Sequence, residues 1–140
     1  MQKRGFWLAA CCAGTVFGAG AAGREPVNLD IVFIGDSITE PGTPCETAAA
    51  CLRAAAGVGD VRVSNQGHSG LTTQDFLPAD GNAAKGVKAA ADAFAAPDRD
   101  LLFSIMLGTN DSACRGTTGA PMAPATYRAN LAAIADRLLA

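Results

Sequence analysis

Three short apolar segments constrain this chain more than anything else in it. Ile31 to Ile34 is a continuous run with β-branched residues, Val61 to Ser64 is a second short strand, and Leu101 to Leu107 is a third apolar run that stops at Gly108. Continuous rather than alternating apolarity belongs to strands covered on both faces. Alanine-rich stretches lie between them: Glu46 to Ala56, closed by Gly57, and Ala83 to Ala95, followed by Pro97. Both read as helices. A last helix opens with Pro124 in its first turn. Its Tyr127, Leu131, Ile134 and Leu138 recur at helical spacing and share one face. Strand and helix in alternation predict an α/β domain built on a parallel sheet. The chain has 140 residues, room for one such domain at most.

In sheets of this kind, ligands bind beyond the carboxyl ends of the strands. Three polar clusters fall there: Gly35-Asp36-Ser37, Asn65 to Thr73, and Gly108-Thr109-Asn110-Asp111. A hydroxyl at Ser37, just past a strand and near a following helix, suits a nucleophile whose reaction creates an oxyanion. The same residues would also serve as a Ser-Thr turn or cap that closes the strand. Gly67 and Gly70 let the second loop turn sharply and aim amides into a cleft. Asn110 could aim its side-chain amide at the same point, or form an Asx turn. Ser37 is not in a Gly-x-Ser-x-Gly elbow, because Thr39 stands where the second glycine would be. No Gly-Lys-Ser/Thr follows, so a phosphate-binding P-loop is excluded.

Taken together and in this order, the three clusters resemble the SGNH/GDSL hydrolase family of esterases and lipases. The carriers are Gly-Asp-Ser after the first strand, Asn-x-Gly-x-Ser-Gly-x-Thr after the second, and Gly-Thr-Asn-Asp after the third. The resemblance covers roughly Ile31 to Leu139. It implies a flavodoxin-like three-layer α/β/α fold with a parallel sheet. It also implies that Ser37 is the nucleophile and that the Ser37 amide, the Gly70 amide and the Asn110 side chain form the oxyanion hole. Asp36, His68 and Asp111 take supporting parts: Asp36 orders the nucleophile turn, and His68 lines the cleft or binds substrate, with a structural hydrogen-bonding role and a substitute base as its alternatives. The substrate class is a small-molecule or carbohydrate ester, with acetyl esters of carbohydrates first and lipid esters second. No cofactor and no metal is expected. The rival readings are a catalytically inactive fragment or a non-catalytic carbohydrate-binding or ligand-binding module, and a flavodoxin-like nucleotide binder.

One departure matters. The family supplies its base and orienting acid from an Asp-x-x-His motif near the C-terminus, and a serine hydroxyl is a weak nucleophile without a base. The 140 residues contain no such motif and one histidine, His68. Three strands are found where the family fold has about five, so residues 23–140 are expected to be the N-terminal part of an SGNH hydrolase-type esterase domain, with the C-terminal part missing.

Residues 1–22 read as a signal peptide. Lys3 and Arg4 give a positive start, Phe6 to Phe17 is mostly apolar or small, and Ala19-Gly20-Ala21 supplies small residues for cleavage. The apolar run is too short to span a bilayer. The expected location is secreted or periplasmic, with lipoprotein anchoring at Cys11 the lesser alternative. The net charge is −2 and no basic run occurs, so neither nucleic acid nor an anionic membrane surface is an expected partner. Export permits disulfides. Of Cys45, Cys51 and Cys114, the first two are the expected pair, on condition that Cys45 lies outside the helix, because residues six apart within one helix are too distant to bridge.

Overall fold

The computed structural model describes residues 25–78, 81–113 and 120–140. Residues 1–22, Cys114 and the expectations placed on them lie outside these segments. Three strands form one parallel sheet: β1 (Val27–Gly35), β2 (Val58–Gly67) and β3 (Arg99–Met106), in the order β2-β1-β3. The helices are α1 (Thr43–Arg53), α2 (Asn82–Ala93), the single turn α3 (Thr109–Ser112) and α4 (Pro124–Leu139), with a 3-10 turn over Thr73–Phe76. The α/β parallel architecture expected from the sequence is present.

β1 is the central strand, and its side chains alternate between two cores. Leu29 and Ile31 pack with Ala49 of α1 and Val61 of β2. Val32 and Ile34 point the other way, against Phe76, Val87 of α2 and Ile134 of α4. The sheet is therefore a middle layer with α1 on one face and α2 and α4 on the other. Burial of Val32, Ile34, Phe76 and Ile134 at 1% exposure or less contributes about 1.5–3 kcal/mol per side chain. Of the face proposed for α4, Ile134 is buried and Tyr127, Leu131 and Leu138 are half-buried.

Two expectations need correction. The helix after Ser37 does not start beside it. Residues 36–40 form a turn of their own, with the amides of Thr39 and Glu40 donating to the Asp36 carbonyl, and α1 begins six residues beyond Ser37, at Thr43 with Pro44 in its first turn. The Cys45–Cys51 disulfide is absent, and both thiols are free among the described residues. Both residues lie within α1. Six residues at the helical rise separate them by about 9 Å, beyond the reach of a disulfide. Cys45 is buried and Cys51 exposed, and burial, chiefly, pushes the Cys45 thiol above its ordinary pKa.

On the same face as Val32, Asp30 of β1 has no exposed surface. Arg62 from β2 and Arg99 from β3 each donate to its carboxylate at 2.7 Å through Nε. A buried carboxylate needs such partners. Arg62 also lies 5.1 Å over the Phe94 ring, within cation–π range. No feature of the sequence pattern announced this cluster.

Candidate active site

Register brings the three motifs together. Gly35 pairs with Gly67 on one side and with Met106 on the other. All three strands thus end at one level, and Ser37, the His68–Thr73 loop and Gly108–Asp111 emerge from the same edge. The His68 amide donates to the Gly35 carbonyl at 3.1 Å, which extends the β1–β2 ladder into the loops.

Ser37 is exposed at the top of its turn. Asp36 is fully buried, and one of its carboxylate oxygens accepts from the Ile38 amide at 2.9 Å. It therefore braces the turn rather than facing solvent. Its other oxygen, Oδ2, and the hydroxyl of Thr39 are buried without a hydrogen-bond partner among the described residues. Such atoms cost about 1–3 kcal/mol each.

The second loop presses against this turn. A methyl group on Gly67 would stand 2.5 Å from the Glu40 nitrogen and 2.8 Å from the Thr39 carbonyl carbon, so no other residue fits there without moving backbone. Asn65 reaches across from β2. Its amide nitrogen donates to the carbonyls of Thr39 at 3.0 Å and Glu40 at 3.1 Å, and its oxygen accepts from the Gly67 amide at 2.8 Å. Gly70 is exposed and has φ of +81° with open space where a Cβ would sit. Glycine is required there by backbone conformation and not by crowding.

Asn110 is 4% exposed, and its amide donates to the Leu71 carbonyl at 2.9 Å. One N–H is engaged, and an asparagine amide has a second. The Asn110 amide therefore sits against the loop that carries Gly70. Asp111, equally buried, is a structural tie: its carboxylate accepts from the Thr73 amide at 3.1 Å and from the Thr73 hydroxyl. Asn130 of α4 donates to the same hydroxyl at 3.0 Å. Tyr127 donates to the Leu107 carbonyl at 2.8 Å. Burial raises the Tyr127 pKa, and the charge of nearby Asp111 raises it further, so the phenol stays a donor at neutral pH. Asn65, Thr73, Tyr127 and Asn130 carry this framework. The sequence placed Asn65 and Thr73 in the second polar cluster without a role of their own and Tyr127 on the apolar face of the last helix, because their partners lie far away in the chain.

His68 is exposed and is held through its backbone, by the Gly35 bond and by the Leu71 amide donating to its carbonyl at 3.3 Å. Among the described residues no three His, Cys, Asp or Glu side chains are grouped to hold a metal ion. No helix among them is long and apolar enough to cross a membrane. A cleft of about 430 Å³ lies elsewhere, between α2, α4 and β3, and is lined by Phe76, Val87, Phe94, Leu101 and Ile134 among others. No residue of the three motifs lines it, so it is not the place where Ser37 would act. Beside the third motif, a shallower depression is lined by Gly108, Asp111, Ser112, Met122, Pro124 and Tyr127.

Comparison with protein families finds that the model of the GDSL-like Lipase/Acylhydrolase family matches residues 33–140. Comparison with curated proteins and with solved structures gives no match.

Proposed function

The chain belongs to the GDSL-like lipase/acylhydrolase family, and from that membership we propose that it is a serine ester hydrolase acting through an acyl-Ser37 intermediate. The Ser37 hydroxyl attacks the ester carbonyl. The Ser37 and Gly70 amides and the second N–H of Asn110 stabilise the resulting oxyanion. The tetrahedral species collapses, the alcohol leaves with a proton, and water then cleaves the acyl-serine. What supports the reading is the shared strand-end register, which gathers an exposed serine, a left-handed glycine loop and a buried asparagine amide at one edge of the sheet. Acetyl esters of carbohydrates are the first substrate class and lipid esters the second.

The weak step is removal of the Ser37 proton. Residues 1–140 contain no Asp-x-x-His, and the one histidine is His68, which is exposed and, among the described residues, held through its backbone. The exposure of His68 favours a second reading, a ligand-binding module without turnover. Incubation with p-nitrophenyl acetate, followed by peptide mass spectrometry, separates the two. The hydrolase reading expects slow hydrolysis above a Ser37→Ala control and an acetyl group on the Ser37 peptide. Equal rates in the two proteins and no acetylated Ser37 would sink it. Export also belongs to this proposal. N-terminal sequencing of exported protein should begin near Ala22 or Gly23, and a mature start at Met1 would refute it.

A further inference from the structure

Among the described residues, the Asn65 side chain is the one that hydrogen-bonds from the end of β2 to the nucleophile turn. We propose that Asn65 is a positioning residue, which fixes Ser37 relative to the Gly70 amide by clamping the two loops together. The inference rests on the ester-hydrolase reading and adds a residue that the family motifs leave without a role here.

The geometry is specific. Asn65 stands opposite Phe33 in the β1–β2 register, two residues before Gly67. Both donor positions of its amide face the turn, toward the carbonyls of Thr39 and Glu40, while its oxygen holds the Gly67 amide. Thr39 and Glu40 are the residues whose amides close the Ser37 turn onto the Asp36 carbonyl. Gly67 begins the segment that runs through His68 to Gly70. One planar amide therefore spans the two segments that must present a hydroxyl and an oxyanion donor to the same carbonyl group. Asn65 remains exposed. Its bonds compete with water and add little to global stability, since a net hydrogen bond contributes about 0.5–1.5 kcal/mol even in favourable settings. Its leverage is on placement, where a shift of about 1 Å can lower a rate about a hundredfold.

Two variants test this. Asn65→Ala removes the clamp. Asn65→Asp keeps an acceptor for the Gly67 amide but turns an oxygen toward two carbonyl oxygens. Both should lower kcat for p-nitrophenyl acetate by about ten- to a hundredfold, leave KM within about twofold, and leave the melting temperature nearly unchanged. Amide hydrogen exchange gives a readout that does not depend on turnover. In Asn65→Ala, the amides of Thr39, Glu40 and Gly42 should exchange faster while those of Val32 to Ile34 stay protected. Unchanged kcat, or a fall in kcat that tracks a collapse in melting temperature and exchange throughout β1, would overturn the proposal. If the wild-type chain shows no Ser37-dependent turnover, the ester-hydrolase reading fails. Unchanged exchange at residues 39–42 would then reject the clamp as well, and faster exchange confined to them would retain it as the tie between the loops.

Discussion

At the scale of single residues, the Asp30 ion-pair cluster lies away from the three strand-end motifs. Burial pushes the Asp30 pKa up, but hydrogen bonds and charge from Arg62 and Arg99 more than offset it and hold the carboxyl below its ordinary value of 3.8. The folded chain therefore stays ionised at Asp30 where the unfolded chain takes up a proton. The stabilisation is complete above that ordinary value and drains away as pH falls through the lower folded value. Asp30→Asn should remove that component of the acid unfolding curve. It should also destabilise the protein at neutral pH by about 1–3 kcal/mol, because Arg62 and Arg99 lose a buried charged acceptor, while Arg99 keeps the more exposed Asp60 carboxylate at 2.9 Å. Urea titrations from pH 7 to pH 2 check both, and parallel curves for the two proteins would contradict the assignment. Thr39 makes the opposite case. Its buried hydroxyl has no partner among the described residues, so Thr39→Val, of nearly equal shape, should be neutral or stabilising in a thermal melt. A loss of more than about 1 kcal/mol would mean that the hydroxyl is satisfied in solution.

At the scale of elements, the sequence pattern located each of the three strands among the described residues but shortened the first two. The apolar run of β1 was legible at Ile31–Ile34, whereas the strand begins at Val27. The preceding Asn28 and Asp30 are poor strand formers in isolation. They are held by pairing and, for Asp30, by two arginines from neighbouring strands. β2 likewise extends through Gly59 and Asp60, because the Asn28 side chain accepts from the Asp60 amide at 2.9 Å. Three motif clusters were legible because glycines and small polar residues punctuate strand ends. The ties between clusters were not: Asn65 to Glu40, Asp111 to Thr73 and Asn130 to Thr73 each span 25 residues or more, and local spacing carries no record of them. The contact between the first two loops is also strict enough to predict an outcome. Gly67→Ala should force the Thr39–Glu40 backbone to move, at a cost of about 1–3 kcal/mol in stability, as in other overpacked sites. Chemical denaturation measures the loss. A variant as stable as the parent would show that the turn yields freely.

At the scale of the whole molecule, the sheet is finished unevenly. β1 is paired on both sides, and β2, which among the described residues pairs with β1 alone, carries exposed Asp60, Arg62 and Asn65. β3 is paired with β1 alone among the described residues. From Leu101 to Ile105 it offers Leu, Leu, Phe, Ser and Ile, all half-buried, and Met106 is 44% exposed. Apolar residues on both faces suit a strand in the interior of a parallel sheet, yet the outer backbone groups of β3 face no partner strand among those described. An open, apolar edge without proline is a template for pairing with another chain. Proteins that keep such edges soluble place a charge on them. The nearest charges on β3 are Arg99 and Asp100, at its start, and Arg99 is turned inward onto Asp30. The chain should therefore self-associate through β3 as its concentration rises, seen as a shift to larger species in light scattering coupled to size-exclusion chromatography. Ser104→Lys puts a charge in the middle of this strand, on a face that only Leu102 links to the α1 core. It should return the protein to a monomer without disturbing the Val32–Ile34 core. A parent chain that stays monomeric across the concentration range would show that the β3 edge is already protected, and that the apolar pattern of this strand is satisfied within a single chain.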